Sequence, residues 1–289
     1  MHILVPQQKV PVLESCDLLV CGAGPGGVCA AVAAARRGAR TVLLERWSFA
    51  GGMGTASLLA VWHTSDRTRQ VIWGLVNEIF ERGSRHGWCR RLAHYPAYHE
   101  THEFDIEGLK RVYDDLLTEA GVRVYYTLPA GDVVMDGARI AAVLCDTKTG
   151  RKAIVPRQVI DATGDGDIAA KAGAPFEVGR AQDGRVQGMT LIYKLAGIDH
   201  VPVLKMSAAE HQAILDAMAA ARDRGELPPF GPVSLGSYAL GGYPNMNPCS
   251  GDPLDEASLT RGLMQTRRQM HAYVEFWRRH APGFANARV

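Results

Sequence analysis

Residues 17–52 read DLLVCGAGPGGVCAAVAAARRGARTVLLERWSFAGG, and the rest of the chain is organised around them. Leu18, Leu19, Val20 and Cys21 form a short apolar run of the kind a buried parallel strand shows. Gly22, Gly24 and Gly27 follow at the spacing G-x-G-x-x-G, with Ala23, Pro25 and Gly26 between them. In that pattern the first glycine permits a tight turn, the second lets backbone approach a pyrophosphate, and the third brings helix against sheet. Residues 24–37 predict an alanine-rich helix whose first N–H groups face an anion, and Gly38 stops it. Residues 41–44 predict a second strand. Glu45 ends it, close to the roughly 20-residue spacing at which a carboxylate accepts hydrogen bonds from ribose hydroxyls. A carboxylate there repels a 2′-phosphate, which argues against an NADP site.

Residues 18–35 carry no charge, a length that invites comparison with a membrane span. Gly22, Gly24, Pro25, Gly26 and Gly27 would break such a helix in its first half. The acidic Glu14 and Asp17 ahead of it do not resemble the basic start of a signal peptide. The expectation is a soluble protein with no membrane partner. With 289 residues, 47% of them hydrophobic, the chain can bury a large core in one large or two modest domains. Its 32 basic and 30 acidic residues nearly cancel and are spread along the chain, so no basic field for nucleic acid is expected. Cys16, Cys21, Cys29, Cys89, Cys145 and Cys249 form no C-x-x-C pair and no regular framework. They read as reduced thiols, and the expected compartment is the cytoplasm.

In chain order, residues 1–16 are a proline-bearing lead-in, an edge strand or a tail. Residues 70–85 predict a helix with Val71, Ile72, Leu75, Val76, Ile79 and Phe80 on one face. The segment 94–105 concentrates His94, His99, His102, Glu103 and Asp105. It is open to three readings: a divalent metal site, a polar loop facing substrate, or a plain surface loop. No metal is expected from it, because no helical histidine pair at i, i+4 appears. Residues 106–120 predict a helix with Asp105 as N-cap and Gly121 as stop. Residues 122–126 predict the third parallel strand. Short strands at 132–135, 140–146 and 153–155 predict an antiparallel meander, which leads into a strand at 157–161 and the turn Ala162-Thr163-Gly164-Asp165-Gly166-Asp167. Beyond it, residues 186–196 predict a strand, 207–225 an amphipathic helix capped by Ser207, and 259–280 a long helix. Residues 228–253, rich in glycine and proline and holding Tyr238, Tyr243, Asn245 and Asn247, either line a pocket or bridge two elements.

One further cluster makes the reading specific: Arg46-Trp47-Ser48-Phe49-Ala50-Gly51-Gly52-Met53-Gly54-Thr55, a second glycine loop that no nicotinamide site requires. With it the chain resembles the FAD-dependent oxidoreductases of the glutathione-reductase-like superfamily, whose signature adds a basic residue and Gly-Gly after the ribose-binding glutamate. The likeness extends through ATGDGD at 162–167, AGAPFEVGR at 172–180, Gln187 to Thr190, 252–260 and Pro282-Gly283-Phe284. The resemblance implies an α/β fold: a Rossmann-like parallel sheet carrying FAD and an antiparallel meander over residues 1–166, with 53–104 as an inserted segment, and a second, mixed α+β domain over 167–289 on the substrate side. It implies FAD contacts from Gly22, Ala23, Gly24, Pro25, Gly26, Gly27, Glu45, Arg46, Gly51, Gly52, Met53, Val133, Ala162, Thr163 and Gly164. The activity implied is hydride transfer between a small molecule and the flavin. His63, shortly after the second glycine loop, is the one candidate base, and a structural histidine is the other reading of it. The family returns to its nucleotide domain through a further glycine-rich segment near the C-terminus, and this sequence reaches Val289 without one, so a C-terminally truncated member is expected. An NAD-dependent dehydrogenase and a non-catalytic nucleotide-binding subunit are the rival functions.

Overall fold

The structure, a computed structural model, describes residue 3 and residues 7–66, 68–92, 101–228, 244–245 and 247–289, without the side chain of Leu204. His94, His99, Tyr238 and Tyr243 lie outside the described residues. The chain divides into two compact units, Met1–Ala56 with Ala60–Phe176, and Ser57–Leu59 with Glu177–Val289.

The first unit is built on a six-stranded sheet. Its strands are β1 (Val12–Cys21), β2 (Thr41–Leu44), β6 (Arg123–Tyr125), β7 (Val133–Asp136), β8 (Arg139–Thr147) and β9 (Gly150–Asp161), in the spatial order β6-β2-β1-β9-β8-β7. The β6, β2, β1 and β9 strands run parallel, whereas β7, β8 and β9 form the antiparallel meander. Period-two alternation lets one strand serve two cores. Val20 and Leu43 face the helices α1 (Pro25–Ala35), α2 (Leu75–Arg85) and α3 (Ile106–Glu119), while Leu19, Cys21, Val42 and Leu44 join Val143, Cys145 and Ile154 on the other side. Each fully buried leucine or valine there contributes about 1.5–3 kcal/mol.

Three elements differ from the sequence reading. First, β1 begins at Val12, well before the apolar run, and is central rather than an edge. Second, β9 is a single strand of 12 residues where two were expected. Its beginning pairs with β8 as far as Ile154, and it continues beside β1 to Asp161. Pro156 lies past the end of the β8 ladder, where a missing N–H is tolerated. Third, α2 starts at Leu75 and not at Gln70, because Gly74 has φ +78 and Gln70 is bridged to Ser65. Val71 and Ile72 are therefore exposed and form no helix face.

A second, three-stranded antiparallel sheet in the order β3-β5-β4 holds β3 (Val61–His63), β4 (Cys89–Arg91) and β5 (Thr101–Phe104). The end of the histidine-bearing segment is thus strand, not loop. Thr101 and Phe104 are buried, and His102 stacks on Phe80 at 3.7 Å between ring centres. Among the described residues no group of three or more His, Cys, Asp or Glu is placed to hold a metal ion.

The short helix α4 (Asp167–Lys171) closes the first unit, and the helices of the second are α5 (His200–Leu204), α6 (Ala208–Asp223) and α7 (Glu256–His280). The α6 helix opens on a capping box: Ser207 Oγ accepts the Glu210 N–H while the Glu210 carboxylate accepts the Ser207 N–H. Tyr193, Met218, Tyr273, Trp277 and Phe284 form its core. The strand expected at 186–196 is reduced to isolated bridges, Met189 with Cys249 and Ala196 with Arg288. All six cysteines are free, and burial pushes the thiols of Cys16, Cys89 and Cys145 up to about 11, so they stay protonated at neutral pH. No helix among the described residues is long and apolar enough to cross a membrane.

Candidate functional site

Three parallel strands end level with one another: Cys21 of β1 is in register with Leu44 of β2 and with Asp161 of β9. The turns that leave them therefore meet at one end of the sheet, the end where open α/β sheets hold ligands.

The first turn is set by backbone contact. Gly22, at φ +101, donates its N–H to Leu44 O at 2.8 Å, and a Cβ on it would lie 2.3 Å from Ala162 O. A Cβ on Gly27 would lie 1.9 Å from Gly22 O. Neither position admits a side chain. Gly24 and Gly26 are different, since a Cβ there meets nothing within 4 Å. Gly24 caps α1, Pro25 occupies its first turn, no side chain caps the helix, and no acidic residue stands in that turn. The helix start is left as a set of N–H groups with a favourable dipole and no internal anion.

Glu45 is 4% exposed. Its Oε2 accepts the Ala23 N–H at 2.7 Å and its Oε1 accepts the Trp47 N–H at 2.9 Å. A carboxylate has about four lone-pair positions, so roughly two remain for further donors. Its main chain is held too, by Tyr125 O and the Leu128 N–H. Arg46 is exposed, with its guanidinium 5.3 Å from the Trp47 ring centre.

The second glycine loop is seated on the first. Gly51 donates its N–H to Ala23 O at 2.7 Å, and a Cβ on Gly52 would lie 2.9 Å from Gly24 Cα. Thr55 Oγ1 donates to Ala50 O at 2.8 Å, which closes the short 3-10 turn Gly52–Gly54, and Met53 stands exposed on it.

The third turn hangs on Asp161, a residue the sequence reading treated only as a strand end. Its carboxylate accepts the Thr163 N–H and Oγ1–H at 3.0 and 2.7 Å, and the Ile168 and Ala169 N–H groups at 2.9 and 2.8 Å. Burial works to raise its pKa, but these four bonds outweigh it and hold the carboxyl below its ordinary value. The Thr163 hydroxyl also accepts the Asp167 N–H, so that side chain is committed to the turn. Ala162 donates its N–H to Cys21 O at 2.8 Å, and Gly164 has φ +106. A local signal for Asp161 is its place two residues before Thr163, the spacing of an Asx turn in which the carboxylate accepts the i+2 N–H.

The structure thus brings together Gly22 to Gly27, Glu45, Gly51, Gly52 and Ala162. Val133 lies on edge strand β7, three strands from β1, with its N–H bonded to Asp132 Oδ1 at 2.9 Å. His63 belongs to the small sheet, where its Nδ1 is 3.1 Å from Thr101 Oγ1 and burial pulls its pKa below the ordinary value.

A Rossmann-like parallel sheet with an antiparallel meander, glycine turns at its strand ends and a buried glutamate defines a dinucleotide-binding flavoprotein. The model of the FAD dependent oxidoreductase family matches residues 17–289, and the chain belongs to that family, whose cofactor is FAD. Among solved structures, a geranylgeranyl bacteriochlorophyll reductase-like protein from Thermoplasma acidophilum is similar with a TM-score of 0.52 at 16% identity, over 95% of this chain and 64% of that one. A flavoprotein/dehydrogenase from Cytophaga hutchinsonii is similar with a TM-score of 0.47 at 16% identity, over 66% of this chain and 48% of that one. The first of these likenesses supports the fold. No curated protein sequence matches the chain.

Proposed function

We propose that the chain exchanges a hydride between a small organic substrate and FAD held across the carboxyl ends of β1, β2 and β9. The observation that carries this reading is the meeting of three glycine-bearing turns and one buried carboxylate at strand ends in level register. The residues fit the cofactor. The uncapped start of α1, with Pro25, Gly26 and Gly27, offers N–H groups and a dipole to a pyrophosphate, and the open space at Gly24 lets backbone approach it. Glu45 has lone pairs left for ribose hydroxyls, and its charge opposes a 2′-phosphate. Arg46, Gly51, Gly52 and Met53 on the second loop and Ala162, Thr163 and Gly164 on the third turn complete the assigned site; Val133, on β7 three strands from β1, is assigned to it by the family resemblance alone.

When bound, FAD supplies the ring system that takes up and returns a hydride. The chain's own part is to bind and orient. Glu45 fixes the ribose end, the glycine turns present main chain with no side chain between, and Asp161 keeps the third turn rigid. His63 is the candidate base, and its lowered pKa keeps the ring neutral at pH 7. Its contact with Thr101 supports a structural role instead, so no proton step is assigned to it. Residues 1–166 are assigned to the cofactor and 167–289 to the substrate.

The test is to incubate the purified protein with FAD, desalt it, and record visible absorption per chain. About one flavin per chain, bleached anaerobically by a member of a panel of alcohols, amines and hydroxy acids, is the expected result. A colourless protein with no FAD binding in titration refutes the reading. Bound flavin that no substrate bleaches points to a binding subunit rather than an oxidoreductase.

A further inference from the structure

We propose that Trp62 is the positioning residue of the second glycine loop: its ring, set against Gly54, holds Gly51 and Gly52 onto the first turn and so sets FAD affinity. This rests on the cofactor site assigned above. Trp62 is the middle residue of β3 and pairs across the small sheet with His102. Its ring lies among three others: Phe104 of β5 at 4.9 Å between ring centres, Phe80 of α2 at 6.2 Å and Tyr113 of α3 at 6.4 Å. Those three are buried. A ring held from a strand and two helices in a close-packed core has little freedom to yield.

Gly54, the last residue of the 3-10 turn, is buried against that ring. A Cβ on it would lie 3.1 Å from Trp62 Cζ2 and 3.3 Å from both Trp62 Nε1 and Leu109 Cδ2, closer than the about 3.5–4.0 Å at which carbon atoms attract best. The backbone gives no other reason for glycine here. Gly51 and Gly52 take φ +115 and +48, whereas Gly54 has no left-handed φ, so its missing side chain is room for the indole. At its other end the turn rests on the first glycine turn, where Gly51 donates its N–H to Ala23 O and a Cβ on Gly52 would lie 2.9 Å from Gly24 Cα. Between these two seats the turn is closed by the Gly54 N–H on Gly51 O at 2.9 Å, the Thr55 N–H on Gly52 O at 3.1 Å and the Ala56 N–H on Gly52 O at 2.8 Å. A turn this short and this fully bonded moves as one piece, so a displacement at Gly54 reaches Gly51 and Gly52.

The experiment compares FAD dissociation constants and urea midpoints of the cofactor-free protein for the unaltered chain, Gly54→Ala, Gly54→Val, Trp62→Phe and the double variant Gly54→Ala/Trp62→Phe. Gly54→Ala should weaken FAD by about tenfold, the scale of one methyl forced into a packed site. Trp62→Phe, which lacks both indole atoms that face Gly54, should weaken it by about fivefold by leaving the turn unsupported. In the double variant the methyl takes space the indole leaves, and affinity should return to within about threefold of the unaltered chain. A purely structural role for Trp62 would lower the urea midpoint and leave the FAD affinity of the folded protein alone. Two single variants within about twofold of an unaltered chain that binds FAD, or a double variant no tighter than the weaker-binding single, overturn the proposal and leave the site assignment standing. Failure of the unaltered chain to bind FAD overturns both. Should Trp62→Phe not fold, the contrast between Gly54→Ala and Gly54→Val decides: equal affinities overturn the proposal, and a further loss of about threefold or more in the valine variant supports it.

Discussion

Glu45→Ala separates the two jobs that the geometry gives one carboxylate. In the cofactor-free protein its oxygens accept the Ala23 and Trp47 N–H groups at 2.7 and 2.9 Å, in a site that is 4% exposed. Hydrogen bonds to a charged group are each worth about 1.5–3 kcal/mol, and a buried donor left alone costs about 1–3 kcal/mol. Removing the carboxylate should therefore lower apo stability by about 3 kcal/mol, with water entering the vacated space to limit the loss. The remaining lone pairs define the second job. If they accept ribose hydroxyls, a further loss of about 1.5–3 kcal/mol appears in FAD binding, roughly a ten- to 150-fold rise in the dissociation constant. Glu45→Gln should fall between, because its amide keeps one acceptor oxygen and sets an NH2 group against the other N–H.

Urea denaturation of the apo protein reads the first loss and fluorescence titration with FAD reads the second. A large drop in stability with FAD affinity unchanged within about twofold refutes the ribose assignment, and leaves Glu45 as a clamp between the turn and the strand. Unchanged stability refutes the geometry itself.

The glycines of the first turn should separate in the same way. Gly24→Val should fold and lose FAD, because a Cβ there meets nothing in the protein itself, whereas Gly27→Ala should cost at least about 1–3 kcal/mol in stability before any cofactor is added. Retained stoichiometric flavin in Gly24→Val, or unaltered melting in Gly27→Ala, would count against the respective claim. Acid should weaken the first unit through Glu78, whose pKa falls from 4.5 to about 2, chiefly through the hydrogen bond from Arg36 and, against the pull of burial, that from Arg82. A carboxyl depressed in the folded state adds stability above its unfolded value and loses it as pH falls through the folded one. Urea midpoints should accordingly decline between about pH 4.5 and 2, and Glu78→Gln should flatten that decline; an equal slope in the variant removes Glu78 as its source.

Much of the first unit was legible because its signals are local. The turn glycines, the Asp105 cap with its 2.7 Å bond from the Gly108 N–H and, in the second unit, the Ser207 cap are all determined by residues within a few positions of one another. What escaped is what depends on distant partners. Glu14, Ser15 and Asp17 interrupt the apolar run, so β1 looked short, yet its first half is held by β9 some 140 residues on. Val71 and Ile72 matched a helix face in spacing, but Gly74 turns the chain before the helix begins.

The site's legibility has the same root as its silence about substrate. In the proposed site a dinucleotide meets mostly main chain, which needs glycines at fixed spacing and strands that end level, and both leave a mark in the sequence. The level register of Cys21, Leu44 and Asp161 makes the three turns one site; sliding β9 by one residue against β1 would move Asp161 away from Cys21 and turn every β9 side chain to the opposite face. Ile154 would then leave the core it shares with Val143 and Leu19, so the register that brings the proposed site together is enforced by packing on the far side of the sheet. Substrate chemistry has no such constraint. It needs a few side chains at positions that no backbone requirement marks, which is why the sequence singles out Glu45 as a ribose candidate but no catalytic base.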